Sequence, residues 1–409
     1  MWIYGKLPSD WHTEKIGNYT TLITDYVANG SFASLAENVT YKTEPDYAVL
    51  IRLTDYNNDF KGNFVYINKH AYEFLSKSKL YGDEIIISNV GANVGTVFKC
   101  PKMDINMSLA PNSIMLKTKG NDDFYYYWFS SKNGQHSLKS IVTGSAQPKF
   151  NKTNFRDLEV PVPPIEIQNK IANFLRTIDK KIENNKQIND NLLHQALSIF
   201  ENRFGDREKT GMLGDYCLVK SGFAFKSSWW TNEGVKVVKI GSISQDNLNL
   251  EDCSYVSSDI GKLASEFMLQ SGDLVIAMTG ATIGKFTMIP LINEPLYANQ
   301  RVGKFFLGDD PIKKLPFIYC LLKNKEVYNE ILNRGQGSAQ PNISSNDIMT
   351  VPCAIPSSKE IDDFNNDTKA FFELIIRNQA EIQNLIKLRN ELLPKLMTGE
   401  IDLSNIEIE

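Results

Sequence analysis

The sequence has few of the residues that metal binding and redox chemistry require. Its five cysteines are never two or three positions apart, and its four histidines are scattered at positions 12, 70, 136 and 194. Zinc sites and disulfide frameworks need cysteine or histidine ligands at short, recurring spacings. We therefore expect reduced thiols, and we expect no metal site in this chain.

Motifs for catalysis are also missing. The glycine-rich run at 91–95 is not followed by Gly-Lys-Ser/Thr, so it is not a phosphate-binding P-loop, and it does not match a dinucleotide-binding fingerprint. The sequence contains no Gly-x-Ser-x-Gly elbow and no His-Glu-x-x-His. It also lacks the Asn/Asp-Pro-Pro-Tyr/Phe run that amino-methyltransferases use. These absences predict a binding protein and not an enzyme.

Long hydrophobic runs are absent too. No apolar stretch approaches the length of a membrane span, and the first residues lack the hydrophobic segment of a signal peptide. A composition of 42% hydrophobic and 22% charged residues is typical of soluble globular proteins. The net charge of −4 does not show the basic excess that is common in nucleic-acid-binding proteins. We expect a cytoplasmic protein with no membrane partner.

What the sequence has instead is an internal duplication. The pentapeptide Gly-Ser-Ala-Gln-Pro occurs at 144–148 and again at 337–341, and a glycine-flanked pentapeptide occurs at 91–95 and 280–284. Each copy is then followed by Val-Pro. Matches in the same order and at a nearly constant offset indicate a duplicated unit, in which each copy carries a similar site.

Each copy shows the same series of predicted elements, which places the globular parts in the α+β class. A strand, a short helix, a second strand and the glycine loop follow one another. The predicted strands are 47–53, 85–87 and 96–98 in the first copy, and 235–240 and 274–276 in the second. A single longer helix that ends in a glycine-containing turn is predicted within 123–148 and again within 316–341.

A long amphipathic helix follows each globular copy. Both helices repeat apolar residues at heptad a and d positions over five to six heptads, which favours a coiled coil. The seam of the first helix contains Ile171, Phe174, Ile178, Asn185, Ile188 and Leu192, with Ile182 beside it. The seam of the second contains Ile361, Phe364, Phe371, Ile375, Asn378, Ile382, Leu385 and Leu392. The alternative is that each helix packs only on its own domain.

Connectivity favours antiparallel helices, because the second globular copy leaves the end of the first helix and enters the start of the second. Parallel helices would force that copy to span about 58 Å at about 1.5 Å per residue. We therefore predict two similar domains separated by an antiparallel coiled coil, with pseudo-two-fold symmetry. The predicted limits are 1–163 and 205–355 for the domains, and 164–204 and 356–409 for the helices and the C-terminal tail.

This order of domains and helices resembles the specificity subunit of type I restriction–modification systems. The resemblance covers essentially the whole chain. It rests on the two Gly-Ser-Ala-Gln-Pro and Val-Pro pairs and on several further segments, namely Leu7-Pro8 with Trp11, residues 173–185 with Ile-Asp-Lys-Lys-Ile, and Leu-Leu-Pro-Lys-Leu-Met-Thr-Gly-Glu-Ile at 392–401.

The resemblance implies a function for each part of the chain. Each globular copy would be a target-recognition domain that reads one half of a bipartite sequence in double-stranded DNA. The helices would set the spacing and dock two modification subunits, which would carry S-adenosylmethionine and methylate adenine N6. Restriction subunits would add ATP- and Mg-dependent translocation and cleavage, and this chain would itself hold no cofactor.

Candidate DNA contacts follow from side-chain chemistry. Asparagine and glutamine can read adenine, and arginine can read guanine, so Asn299, Gln300 and Arg301 are candidate readers. Lysines and aromatic residues near the start of the second copy, and lysines after the first pentapeptide, are candidates for phosphate contact or stacking: Lys220, Lys226, Trp230, Lys149 and Lys152. Because they recur in both copies, Ser145, Gln147, Ser338 and Gln340 fit backbone shaping or phosphate contact better than base reading.

Two other functions remain open at this point. The chain could be part of an enzyme that methylates DNA by itself, although the missing cofactor motifs weigh against this. It could also be a coiled-coil scaffold that joins proteins without reading DNA sequence. Incubation of the purified chain with labelled S-adenosylmethionine and DNA tests the first alternative. Binding to random duplex DNA tests the second, because a scaffold would enrich no sequence.

Overall fold

The computed structural model describes residues 7–335 and 341–403. The chain forms two compact units, Met1–Ile178 with Leu388–Glu409, and Asp179–Lys387. Each unit contains one globular copy and parts of both long helices. Within the described ranges, no helix combines the length and the apolarity that crossing a membrane requires.

In its described residues, the first unit contains ten strands and six short α-helices. The strands are β1 (His12–Lys15), β2 (Thr20–Asp25), β3 (Ala48–Ile51), β4 (Val65–Ile67), β5 (Lys79–Leu80), β6 (Ile85–Ser88), β7 (Val97–Lys99), β8 (Asn106–Leu109), β9 (Ser113–Thr118) and β10 (Glu159–Val162). The helices are α1 (Phe32–Asn38), α2 (Leu53–Asn57), α3 (Lys69–Phe74), α4 (Asp122–Ser130), α5 (Lys132–Ser140) and α6 (Lys152–Arg156). The first long helix, α7, follows at Ile165–Phe204.

Among its described residues, the second unit repeats most of this series and has three more strands. Its strands are β11 (Gly211–Met212), β12 (Leu218–Ser221), β13 (Trp230–Thr231), β14 (Val235–Val238), β15 (Ile243–Ser244), β16 (Asn247–Leu248), β17 (Ser254–Val256), β18 (Met268–Leu269), β19 (Leu274–Ala277), β20 (Phe286–Met288), β21 (Leu296–Ala298), β22 (Val302–Phe306) and β23 (Pro352–Cys353). Its helices are α8 (Leu213–Tyr216), α9 (Ser258–Leu263), α10 (Leu315–Lys323), α11 (Lys325–Arg334), α12 (Ser345–Met349) and the long helix α13 (Ser358–Met397).

The sheets of the two units have the same topology. One antiparallel sheet has the order β2-β9-β6-β7 in the first unit and β12-β22-β19-β20 in the second. The other has the order β4-β3-β8-β5 and β17-β14-β21-β18, with β13 added at the edge of the second copy. In both copies the two central strands of this sheet are parallel, β3 with β8 and β14 with β21. The predicted α+β class and the predicted duplication are confirmed.

One antiparallel sheet of each unit packs against helices. In the first unit Ile85 and Ile87 of β6 share a buried cluster with Trp128 of α4 and with Ile171 of α7. In the second unit Leu274 and Ile276 of β19 share a cluster with α10 and α13. Side chains alternate along a strand, so one face of this sheet packs in the cluster with the helices. The other face packs in a second, smaller cluster.

The single helix predicted after the strands is wrong in both copies, because the structure has two helices in each place. The side chain of Ser131 accepts a hydrogen bond from the Gly134 N–H at 3.3 Å, and so caps the start of α5. Asn324 caps α11 by accepting from the Val327 N–H at 3.3 Å. Serine and asparagine are strong N-caps, so each starts a new helix where the periodicity alone predicted a continuous one.

The long helices pair in antiparallel fashion within the second unit, because residues later in α7 meet residues earlier in α13. The pairs are Asn185–Glu381 at 2.8 Å, Asn189–Asn378 at 2.9 Å and Arg203–Asp367 at 2.6 Å. Asn185 and Asn378 are only 2% and 6% exposed, so the hydrogen bonds satisfy amides at the helix–helix contact. Polar residues at such positions fix the register of paired helices.

Most residues of the predicted seams are buried or half-buried, but Ile188 is not. It is 42% exposed, whereas its neighbour Asn189 lies at the contact with α13. The buried stripe of α7 alternates steps of three and four residues through Leu175, Ile178, Ile182 and Asn185. Ile188 lies one residue away from this stripe, about 100° around the helix, and therefore faces solvent.

Candidate nucleic-acid interface

The parallel strands place two chain segments at the same sheet edge in each unit. Strands β3 and β8 end at this edge in the first unit and continue into Arg52 and Ala110. Strands β14 and β21 end at the matching edge of the second and continue into Lys239 and Asn299. Parallel strands are the reason that segments so far apart in sequence meet here.

In the first unit a short hydrogen-bonded frame holds this edge. Asn89, directly after β6, donates its N–H to the carbonyl of Asn112 at 3.0 Å and accepts from the Phe150 N–H at 3.1 Å. Asn112 immediately precedes β9, is exposed, and has a φ of +68°. Asparagine is one of the few residues that tolerate this left-handed conformation.

The second unit has the same frame with other residues. The Met278 N–H, directly after β19, donates to the carbonyl of Arg301 at 3.0 Å, and the Ile343 N–H donates to the Met278 carbonyl at 2.9 Å. Arg301 immediately precedes β22 and is exposed. Asn112 and Arg301 therefore occupy matching positions in the two units.

The repeated glycine loop lies beside this frame. The Gly91 N–H donates to the carbonyl of Pro148 at 2.9 Å, so in the first unit the glycine loop contacts the repeated pentapeptide. Gly91 and Gly280 have φ values of +103° and +76°, which side-chain-bearing residues rarely adopt. The recurrence of the glycine loop is thus explained by turn geometry in both copies.

Four predicted residues belong to the two pentapeptides. Ser145 and Gln147 are exposed in the turn that is closed by hydrogen bonds between Thr143 and Lys149. Ser338 and Gln340 lie outside the described residues.

The two predicted lysines of the first unit have different surroundings. Lys149 is exposed next to the frame. Lys152 forms an ion pair of 2.8 Å with Asp25, which is 8% exposed. In the second unit the matching pair is Ser221 with Ser345, whose hydroxyl oxygens are 3.2 Å apart. This match indicates that the side chain at position 152 connects β2 to α6. Lys149 is therefore the more accessible of the two lysines.

The three predicted readers of the second unit also differ. Asn299 is only 8% exposed, and its N–H donates to the carbonyl of Val238 at 3.0 Å. Its buried side chain therefore helps to shape the turn and does not face a duplex. Gln300 and Arg301 are exposed on the same turn.

A cluster of cations and aromatic rings adjoins this turn in the second unit. The Nζ atom of Lys226 lies 5.0 Å from the ring centroid of Trp229, and that of Lys239 lies 3.6 Å from the ring centroid of Trp230. Burial lowers the pKa of Lys239. Phe223 connects the cluster to the turn, because it forms a β-bridge with Asn299. Both tryptophans are half-buried.

Lys220, also predicted to contact DNA, lies in β12 opposite Lys304. Its Nζ atom donates to a carboxylate oxygen of Glu266 at 2.5 Å, so its charge is partly compensated.

The first unit also contains a cleft that was not predicted from the sequence. It encloses about 460 Å³ and is lined by Val27, Phe32, Leu35, Val39, Tyr41 and Asn112, among others. Phe32 is 82% exposed and Tyr41 is 51% exposed, which is unusual for large apolar side chains. No motif marks these residues, but aligning the two copies would have matched Asn112 to Arg301.

These groups are suited to recognition. Exposed amides, guanidinium groups and aromatic rings are the groups that contact bases and phosphates. In contrast, burial raises the pKa values of Cys217 and Cys353 to about 12, so these thiols stay protonated and are weak nucleophiles at neutral pH. Across residues 7–335 and 341–403, no three His, Cys, Asp or Glu side chains group as metal ligands would.

Comparison with known proteins defines the family. The family model described as "Type I restriction modification DNA specificity domain" matches residues 8–194 and again residues 208–388. The chain therefore belongs to this family and contains two copies of its domain.

Individual relatives agree with this assignment. The chain is 26% identical to the type I restriction enzyme MjaVIII specificity subunit of Methanocaldococcus jannaschii, over 98% of this chain and 95% of the relative. It is 20% identical to the EcoKI specificity subunit of Escherichia coli K12, over 97% and 90%. Its fold is similar to the crystal structure of a type I restriction–modification S subunit from M. genitalium, with a TM-score of 0.56, 16% identity, and coverage of 97% and 98%.

Proposed function

We propose that this chain is the specificity subunit of a type I restriction–modification complex and reads a bipartite target in double-stranded DNA. The observation that carries the proposal is that one chain contains two copies of the family domain with the same hydrogen-bonded frame but different exposed residues on it. A shared frame supports a shared task. Different side chains at the matched edge support two different half-sites.

The long helices would hold the partners of this complex. Ile188 of α7 and Leu374 of α13 are 42% and 37% exposed, although both are large apolar residues. Exposed apolar residues on a helix are suited to protein–protein contact. We assign them to the surfaces that dock the two modification subunits, which would supply S-adenosylmethionine. Restriction subunits would supply ATP- and Mg-dependent cleavage.

Selection from a random duplex library tests this function. The complex of this chain with its modification subunits is incubated with the library, and the bound DNA is sequenced. We expect two short conserved blocks separated by a spacer of fixed length and no fixed sequence. The modification subunits alone are the control. Enrichment of no sequence by the complete complex would instead indicate a scaffold.

A further inference from the structure

Asn112 immediately precedes β9 in the first unit, and Arg301 immediately precedes the matching strand β22 in the second. We propose that these two residues are specificity determinants, with Asn112 reading an adenine in one half-site and Arg301 reading a guanine in the other. This inference rests on the proposed function and assigns base readers within it. It differs from the sequence-based prediction, which included Asn299 and did not include Asn112.

The equivalence of the two positions follows from the strand register. Asn112 is followed by Ser113, which pairs with Ser88 of β6. Arg301 is followed by Val302, which pairs with Ala277 of β19. In both units the backbone carbonyl of this residue accepts a hydrogen bond of the frame. The backbone role is therefore the same in both copies, and only the side chain differs.

Asn112 has the chemistry of an adenine reader. Its side-chain amide offers one acceptor and two donors, which match N6 and N7 of adenine in the major groove. Within the described part of the chain, no hydrogen bond engages this amide. The apolar cleft that Asn112 lines also contains Val27 and Phe32. Such side chains can contact the C5 methyl group of the thymine that pairs with adenine.

Arg301 has the chemistry of a guanine reader. A guanidinium group can donate two parallel hydrogen bonds to O6 and N7 of guanine, and this is the commonest base-specific contact in protein–DNA complexes. Arg301 is exposed, and no carboxylate in the described ranges forms an ion pair with it. Lys226 and Lys239, in the cluster that adjoins this turn, are suited to contact phosphates near such a base.

The main rival is that Arg301 and Asn112 contact only phosphates. A phosphate contact weakens binding to all sequences alike, whereas a base contact sets the preference at one position. Lys149 is the matched control, because it is an exposed cation beside the same frame in the first unit.

The test is to repeat library selection with the complete complex that contains Arg301→Ala, Arg301→Gln, Asn112→Gly or Lys149→Ala, where glycine removes the amide of Asn112 and tolerates its positive φ. We expect Arg301→Ala to lower the preference for guanine at one position of one half-site by about 5- to 150-fold. Arg301→Gln should shift that position toward adenine, because glutamine pairs with N6 and N7 of adenine. Asn112→Gly should lower the preference for adenine at one position of the other half-site, and Lys149→Ala should change no base preference.

The outcomes separate this inference from the proposed function. If the wild-type complex selects a bipartite target but Arg301 and Asn112 variants keep every base preference, the inference is wrong and the function stands. The same conclusion follows if these variants weaken all sequences equally. If the wild-type complex selects no sequence, the proposed function fails as well. Thermal unfolding of each variant checks that the exposed substitutions leave the fold intact.

Discussion

The two globular copies keep the same strands but differ at the edge that follows them. Strands β3 and β8 of the first unit match β14 and β21 of the second, and each pair is parallel. After these strands, the first unit forms α2, whereas the second forms the hairpin β15–β16. The comparison shows which features support the fold and which are free to vary. Buried ladders and turns are retained, and exposed side chains at the shared edge are not.

The buried carboxylates that precede β6 and β19 test how far the copies are equivalent. Glu84 and Asp273 both accept hydrogen bonds from the turn before the strand, Glu84 from the Tyr81 N–H at 3.0 Å and Asp273 from the Gln270 N–H at 2.9 Å. Their cationic partners differ. The side chain of Lys304, 3.0 Å from Asp273, is 9% exposed, whereas that of Lys117, 3.5 Å from Glu84, is 43% exposed.

We therefore expect the substitution Asp273→Ala to have the largest effect on stability. It should lower the free energy of unfolding of the second unit by about 3–5 kcal/mol, because it leaves Lys304 buried without its counter-charge. Urea denaturation with hydrogen-exchange readout measures each unit separately. The added substitution Lys304→Met should recover much of the loss, because Met115 occupies the matching position opposite Ile86 in the first unit.

A smaller effect is expected for Glu84→Ala in the first unit. The exposed Lys117 can be solvated by water, so the loss is that of the hydrogen bonds to the turn, about 1–3 kcal/mol. The same hydrogen-exchange experiment measures it. Equal losses for Glu84→Ala and Asp273→Ala would show that the partner's burial does not matter.

The smallest effect concerns the helix starts. Glu360 accepts from the Ser357 N–H at 3.0 Å at the start of α13 and pairs with Arg207. The ion pair with Arg207 and, to a smaller extent, the hydrogen bonds from Ser357 lower the pKa of Glu360 to about 2. A carboxylate whose pKa is lower in the folded state stabilises at pH values above its ordinary pKa of about 4.3. This contribution is lost as the pH falls from about 5 toward 2. The helix α7 begins instead after Pro164, whose carbonyl accepts from the Gln168 N–H at 3.0 Å.

Thermal unfolding between pH 6 and pH 3 measures this contribution. Wild type should have a higher Tm than Glu360→Gln at pH 6, and the difference should shrink as the pH decreases. A difference that stays constant over this range would mean that the charge of Glu360 does not stabilise the start of α13.

Much of the fold could be predicted from the sequence because repeated motifs mark repeated turns. The glycines at 91 and 280 require positive φ, and apolar heptads require a buried stripe. The residues that form the buried stripe of α7 could not all be predicted. Ile188 and Asn189 are adjacent, and only the packing of α13 against α7 determines which of them lies at the helix–helix contact. The proposed base-reading position, Asn112 in the first unit, was not predicted for a similar reason. The burial of Asn299 and the exposure of Asn112 depend on strands that meet only in the folded unit.

The most direct test of the account is to lengthen both long helices and map the methylated target in cells. One heptad is inserted after Ile178 in α7 and another after Lys387 in α13, at the limits of the two units. Seven residues add about 10 Å, or about 3 base pairs of duplex at 3.4 Å per pair. We expect both half-site sequences to stay the same while the spacer grows by about 3 base pairs. Altered half-sites, or an unchanged spacer, would contradict this expectation.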